Sequence, residues 1–209
     1  MPQAPLIQSF VFPGEDRSFG GDLLFVDLVP SSSWAQNARS ILSAAQWKRV
    51  SLIVKIRCGS KCEACGAPEQ IKSKCYIEAH ERWSYDLASS TQTLRRIVGL
   101  CSRCHRATHF GFAASRGLDK QALKQLEKVN SWSPAAAQAH VKEAFAVWRL
   151  RSSIKWDVDV SLLSSFCAPP SPSACIGVCH IHEGKCLGCA RSEKQIFDRG
   201  ASSGVADNA

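Results

Sequence analysis

CEAC at 62–65, YIEAHERW at 76–83 and LCSRCHRATHFG at 100–111 decide how this chain is read. Two Cys-x2-Cys knuckles stand 35 residues apart, one histidine lies between them, and a His-x3-His pair begins directly after the second knuckle. A two-residue gap lets both thiolates of a knuckle turn towards one ion, and a distant second knuckle pins the two ends of the segment together. Cys62, Cys65, Cys101 and Cys104 therefore suit a tetrahedral structural zinc site. His105 and His109 have helical i, i+4 spacing, which brings Cβ atoms to about 5–6 Å and suits chelation of one divalent ion. His80, in a run that reads as a strand or hairpin, is the third histidine.

These motifs together resemble an HNH-type endonuclease of the zinc-knuckle subclass, over residues 58–111. The resemblance implies an α+β, ββα-metal fold. In it a hairpin and a helix grip a catalytic divalent ion (Mg²⁺, Mn²⁺, Ni²⁺ or Zn²⁺), while the cysteine zinc holds the scaffold. It implies metal-dependent hydrolysis of DNA phosphodiester bonds, with His105 and His109 as ligands of the catalytic metal. Two registers stay open in the hairpin. With His80 as general base, the ligand position falls on Ala79; with His80 as ligand, the base position falls on Glu81. Glu78, which shares a strand face with His80, is a further catalytic candidate. The family's asparagine ahead of the second knuckle is Arg96 here, with Gln92 the nearest amide. Ala79 and Arg96 keep an alternative open: a catalytically impaired zinc module that binds nucleic acid or protein without cleaving.

A chain of 209 residues, 45% hydrophobic, can build one core plus a small appendage. It has no run of 18 apolar residues, so no membrane partner is expected. MPQAPLIQSFVF lacks the marks of a secretory signal. A cytoplasmic, reducing setting is therefore expected, where spaced cysteines bind metal rather than pair as disulfides. Cys58, Cys75 and Cys167, outside the two four-cysteine sets, read as small buried apolar residues. The net charge of +8 favours a polyanionic partner. Arg95, Arg96, Arg103 and Arg106 surround the second knuckle and are candidate contacts to DNA.

Outside this segment, residues 1–57 read as a strand and helix region. Strands are expected at 6–12 and 22–29, a short helix capped by the serines at 31–33, and a longer one capped by Ser43. Residues 112–163 read as a helical extension. Ser133-Pro134 opens a helix whose Ala137, Val141, Phe145 and Trp148 are expected in the core, and Trp156, Val158 and Val160 alternate as in a strand. Trp34, Trp47, Trp83 and Tyr85 are expected to pack on the zinc module, and Glu63 and Asp86 to be solvated surface. Residues 164–173 read as a Pro/Ser linker. At 174–197, Cys175, Cys179, Cys186 and Cys189 form a second metal-binding set, for zinc or an iron–sulfur cluster. That segment resembles a short bacterial cysteine-rich domain of unknown function. Residues 198–209 read as a disordered tail.

Overall fold

The alternating runs IEAHERWSYD and TQTLRRIVGLC form the two long strands β1 (Ile77–Asp86) and β2 (Thr91–Cys101). They pair antiparallel, with His80 opposite Val98 and Arg82 opposite Arg96, and the register shifts between Arg82 and Trp83. A short strand, β3 (Asp157–Asp159), adds in parallel to β2. These features come from a computed structural model that describes residues 10–164, 181, 182, 184–186, 191, 192 and 195. Of the tail cysteines it describes Cys186 alone, buried and donating its N–H to the Arg191 carbonyl at 2.7 Å. Cys175, Cys179 and Cys189 lie outside the described residues, as do Cys167 and the tail from 198 onward.

The sheet is small and covered by helices, so the architecture is mixed α+β. Helix α1 spans Ala38–Ile41 and α2 spans Ala44–Arg57. Both begin with a capping box, Asn37 with Ser40 and Ser43 with Gln46. The serines at 31–33 form only a 3-10 turn. Val50, Ile53 and Val54 of α2 pack with Ala79, Trp83 and Ile97 on one sheet face. Gly99 admits this packing: a Cβ there would lie 2.8 Å from the Cys58 sulfur. On the other face, Val98 and Leu100 meet the helices that follow, α3 (Ser102–Thr108), α4 (Phe110–Ser115) and α5 (Asp119–Asn130). The next helix, α6 (Pro134–Ser152), starts on Ser133 as its spacing predicts. Its apolar stripe joins the core as expected at three of four positions: Ala137 is buried, and Val141 and Phe145, half-buried, pack against the same cluster; Trp148 is half-buried.

The strands expected near the N-terminus are not strands where the structure describes them; residue 22 lies in a turn, and residues 23–29 have no regular secondary structure and no partner strand. Their backbone groups bond to helices instead. The Leu24 N–H and C=O both meet the Asn130 amide, the Val26 N–H donates to His140 Nε2 at 2.9 Å, and the Asp27 N–H donates to the Thr108 carbonyl at 2.9 Å. Two side chains and one helix carbonyl thus satisfy backbone groups that ladder bonding would otherwise satisfy.

The same N-terminal arm carries a buried ion pair. Arg57 donates to both Glu15 oxygens, at 2.7 and 2.9 Å, and Glu15 also accepts the Phe12 and Ile97 N–H groups. Burial pushes the Glu15 carboxyl up, but the Arg57 bonds and charge and those N–H groups outweigh it and hold it below its ordinary value. Its contribution to stability is therefore present above pH about 4.5 and lost as pH falls through the lowered folded value. Arg57→Met leaves the buried Glu15 carboxylate only the half-buried Arg17 guanidinium, at 3.3 Å, as a cation and is expected to cost about 3 kcal/mol in urea unfolding. Arg57→Met with Glu15→Met is expected to recover most of that loss. An Arg57→Met unfolding midpoint equal to wild type would show that the pair contributes nothing.

Candidate metal centres

The first knuckle is held against the hairpin by Glu63. Its N–H donates to the Gly99 carbonyl at 2.8 Å, and its carboxylate accepts the Gly99 N–H and an Arg17 guanidinium. Glu63 is therefore a half-buried strut and not the solvated surface its sequence context suggested. Gly66, at φ +70°, closes the knuckle turn, with its N–H on the Cys62 carbonyl. The second knuckle forms where β2 runs into α3, with Cys101 ending the strand and Cys104 in the helix's first turn.

The four sulfurs lie within 4.8 Å of one another and could hold a metal ion such as zinc. Cys62, Cys101 and Cys104 are buried, and the Gln125 amide donates to the Cys104 sulfur at 3.1 Å. Hydrogen bonds from Cys101 and Cys104 hold the Cys62 thiol far below its ordinary value, while Cys101 and Cys62 push Cys104 far above it. Four sulfurs this close cannot all ionise without a cation among them, so the donor set fits a thiophilic divalent ion.

His80, His105 and His109 form the second group, with one ligand atom from each within 4.8 Å of the others. β1 brings His80, α3 brings His105, and His109 stands at the break between α3 and α4, with φ −87° and ψ 50°. The break departs from a continuous helix across both histidines, yet the His109 N–H still donates to the His105 carbonyl, at 3.2 Å. His80 Nδ1 lies 3.2 Å from His109 Nε2. Burial and the neighbouring histidines hold the His109 imidazole down at about 3, and burial first, then His105, lowers His80 well below its ordinary value. Neutral imidazoles converging on one point are the ligating form. Among the described residues, the two groups account for every potential metal-holding cluster of three or more such side chains.

Carboxylates back this group. Glu78 accepts from His105 Nδ1 at 3.1 Å and from the Ser102 hydroxyl at 2.7 Å; these bonds, His105's first, hold its carboxyl down at about 2. That bond leaves His105 Nε2 as the atom that can face an ion. Glu81 accepts the Ala38 N–H at 2.8 Å, and burial raises its carboxyl. Both His80 and Glu81 line a cavity of about 180 Å³ above the histidines, with Asn37, Arg39, Ala79 and Trp47. Trp47, half-buried, is therefore at the histidines as well as on the α2 core, and Trp83 and Tyr85 pack on that same core.

Sequence reasoning missed Asp27 and Arg39. Asp27 Oδ2 lies 3.9 Å from His80 Nε2, an atom that is buried with no hydrogen-bond partner. Its carboxyl is pushed up to about 6 by burial. Only the folded arm brings residue 27 beside residue 80, so no spacing rule could find it. A carboxylate behind a ligating histidine typically raises metal affinity about 10–100-fold. Asp27→Asn is expected to weaken Co²⁺ binding at the histidines by that factor, read by titration, with zinc on the cysteines unchanged; undiminished affinity would remove Asp27 from the site.

The four arginines expected to meet DNA fall in different settings. Arg103 is exposed, Arg106 is half-buried against Gln121, and Arg95 is within 3.5 Å of Asp16. Arg96 is 5% exposed and donates to the Phe19 and Gly21 carbonyls, as Arg82 does beside it. Burial against those carbonyls removes Arg96 from any phosphate-contacting role. No described helix is long and apolar enough to cross a membrane.

Comparison with family models, curated proteins and solved structures finds no match to this chain.

Proposed function

We propose that the chain is a metal-dependent endonuclease of the HNH type, in which β1, β2 and α3 form a ββα-metal site that hydrolyses DNA phosphodiester bonds. The observation that carries this reading is the convergence of His80, His105 and His109 beside a small cavity, on a hairpin and helix tied together by four cysteines. His80 is assigned to the ligand set with His105 and His109, because its Nδ1 faces His109 and its Nε2 faces Asp27. When bound, a divalent ion supplies charge stabilisation at the scissile phosphate and the leaving oxygen.

The remaining roles belong to side chains around the cavity. Glu81 takes the proton of the attacking water at its carboxylate; burial raises its proton affinity towards that task. Glu78 orients His105 and Asp27 orients His80. Arg39, exposed at the cavity, contacts phosphate, and Arg103 and Arg106 extend the positive surface. The tail cysteines are proposed to bind zinc or an iron–sulfur cluster.

Incubating the protein with supercoiled plasmid and with single-stranded circular DNA, in Mg²⁺, Mn²⁺, Ni²⁺ or Zn²⁺, tests the reading. Nicking in at least one metal is expected, and no cleavage of either DNA in any metal would sink it. A second reading is favoured by Ala79, which offers no ligand atom, and by His80, which is 4% exposed. It is a zinc module that binds nucleic acid without cutting, and it predicts salt-dependent binding with no nicking.

A further inference from the structure

We propose that the open cavity beside the three histidines receives an unpaired nucleobase, so that single-stranded or locally unpaired DNA is the substrate class. The inference rests on the nuclease reading of the histidines for the identity of its ligand. The cavity measures about 580 Å³, within the range that small-molecule sites occupy. The cavity directly over the histidines, about 180 Å³, is below that range and accommodates a phosphate group rather than a nucleoside. Asn37, Glu81 and His109 line both cavities. A nucleotide whose phosphate lies over the histidines therefore has its base directed next door.

The lining suits a base. Phe145 and Trp148 give the larger cavity its aromatic wall, while Asp27, Glu81 and His109 supply its polar part. Phe145 and Trp148 are the half-buried positions of α6 that line this cavity. The wall is fixed in advance, since Trp148 Nε1 donates to the Val29 carbonyl at 3.1 Å. Two further aromatic linings, Trp34 and Phe112, are 73% and 64% exposed. Large aromatic side chains so exposed at a cavity are poorly explained by folding alone and are well placed for stacking. Stacking tolerates any base, because every base has a π face, but a base inside a duplex has no free face to offer. Charge agrees: Arg116 lies 5.2 Å from the Phe112 ring and Arg39 stands at the smaller cavity, both exposed and suited to flanking phosphates.

The test uses the full chain, a short single-stranded oligodeoxynucleotide and the same sequence as a duplex, with binding followed by fluorescence anisotropy in Ca²⁺. Wild type is expected to bind the single strand more tightly than the duplex. Trp34→Ala and Phe112→Ala, both at exposed positions, are each expected to weaken single-strand binding by about 5- to 150-fold. Their zinc content and circular dichroism are expected to match wild type. Equal affinity for the two forms, or full single-strand affinity in both variants, overturns the base cavity even if plasmid nicking persists. Single-strand preference with losses in both variants supports the cavity even if no metal yields cleavage, so the two readings fail separately.

Discussion

Chelating the zinc proposed for Cys62, Cys65, Cys101 and Cys104 is expected to abolish cooperative unfolding of this protein. Structural zinc contributes about 10–16 kcal/mol in small zinc-dependent folds, comparable with the whole stability of an ordinary domain, about 5–15 kcal/mol. Three of the four cysteines lie in the same buried cluster as Val98, Leu100 and Leu126. Losing the ion leaves close-set thiols that cannot all ionise, and it frees the 62–66 turn from the end of β2. Cys101→Ser should reproduce the effect of a strong chelator, because Cys101 joins β2 directly to α3. Thermal melts followed by circular dichroism, with released zinc counted by a colorimetric chelator, check this. An unchanged melt after zinc is fully removed would mean that the cysteines are packing residues only.

His109→Ala is expected to lower plasmid nicking by about 10³-fold or more, equivalent to about 4 kcal/mol of barrier at 1.36 kcal/mol per tenfold. His80→Ala should fall as far and should also lose the weakly held ion. Glu81→Gln should lose about 10²- to 10⁴-fold while keeping that ion, because it removes a proton acceptor and not a ligand. Metal content measured beside nicking rate separates the two roles. Wild-type cleavage by both His80→Ala and His109→Ala would exclude the histidines as the site of any hydrolysis.

The cysteine scaffold and the histidine set were legible because both rest on local spacing and short-range strand geometry. Cys-x2-Cys and His-x3-His fix ligand positions within one turn, and the hairpin then supplies His80. Helices α2 and α6 were legible for a similar reason, since Ser43 and Ser133 cap them by contacts three residues away. The N-terminal arm was not. Residues 22–29 have the composition of a strand, but the amide of Asn130 and the imidazole of His140 meet their backbone, more than a hundred residues along the chain. Asp27 and Glu63 were illegible for the same physical reason: each gains its role from a distant partner. Arg96 looked like surface charge because nothing local shows that the Phe19 and Gly21 carbonyls will cover it.

The paired guanidiniums of Arg82 and Arg96 also bear on how portable the candidate site is. Both reach the backbone of residues 19–23, which lies outside the motif-bearing segment; a methyl group on Gly20 would collide with Arg82 at 2.7 Å. Cutting the chain near residue 58 would uncover both guanidiniums, with Glu63 at 3.6 Å still beside Arg96, and would strip Phe12, Leu24, Val26, Val50 and Val54 from the two buried clusters that hold the segment. The segment is therefore not a cassette that could be lifted into another protein and expected to work. Any transplant would have to carry residues 10–57 along, and gene fusions that preserve the motif while discarding that arm should yield insoluble product.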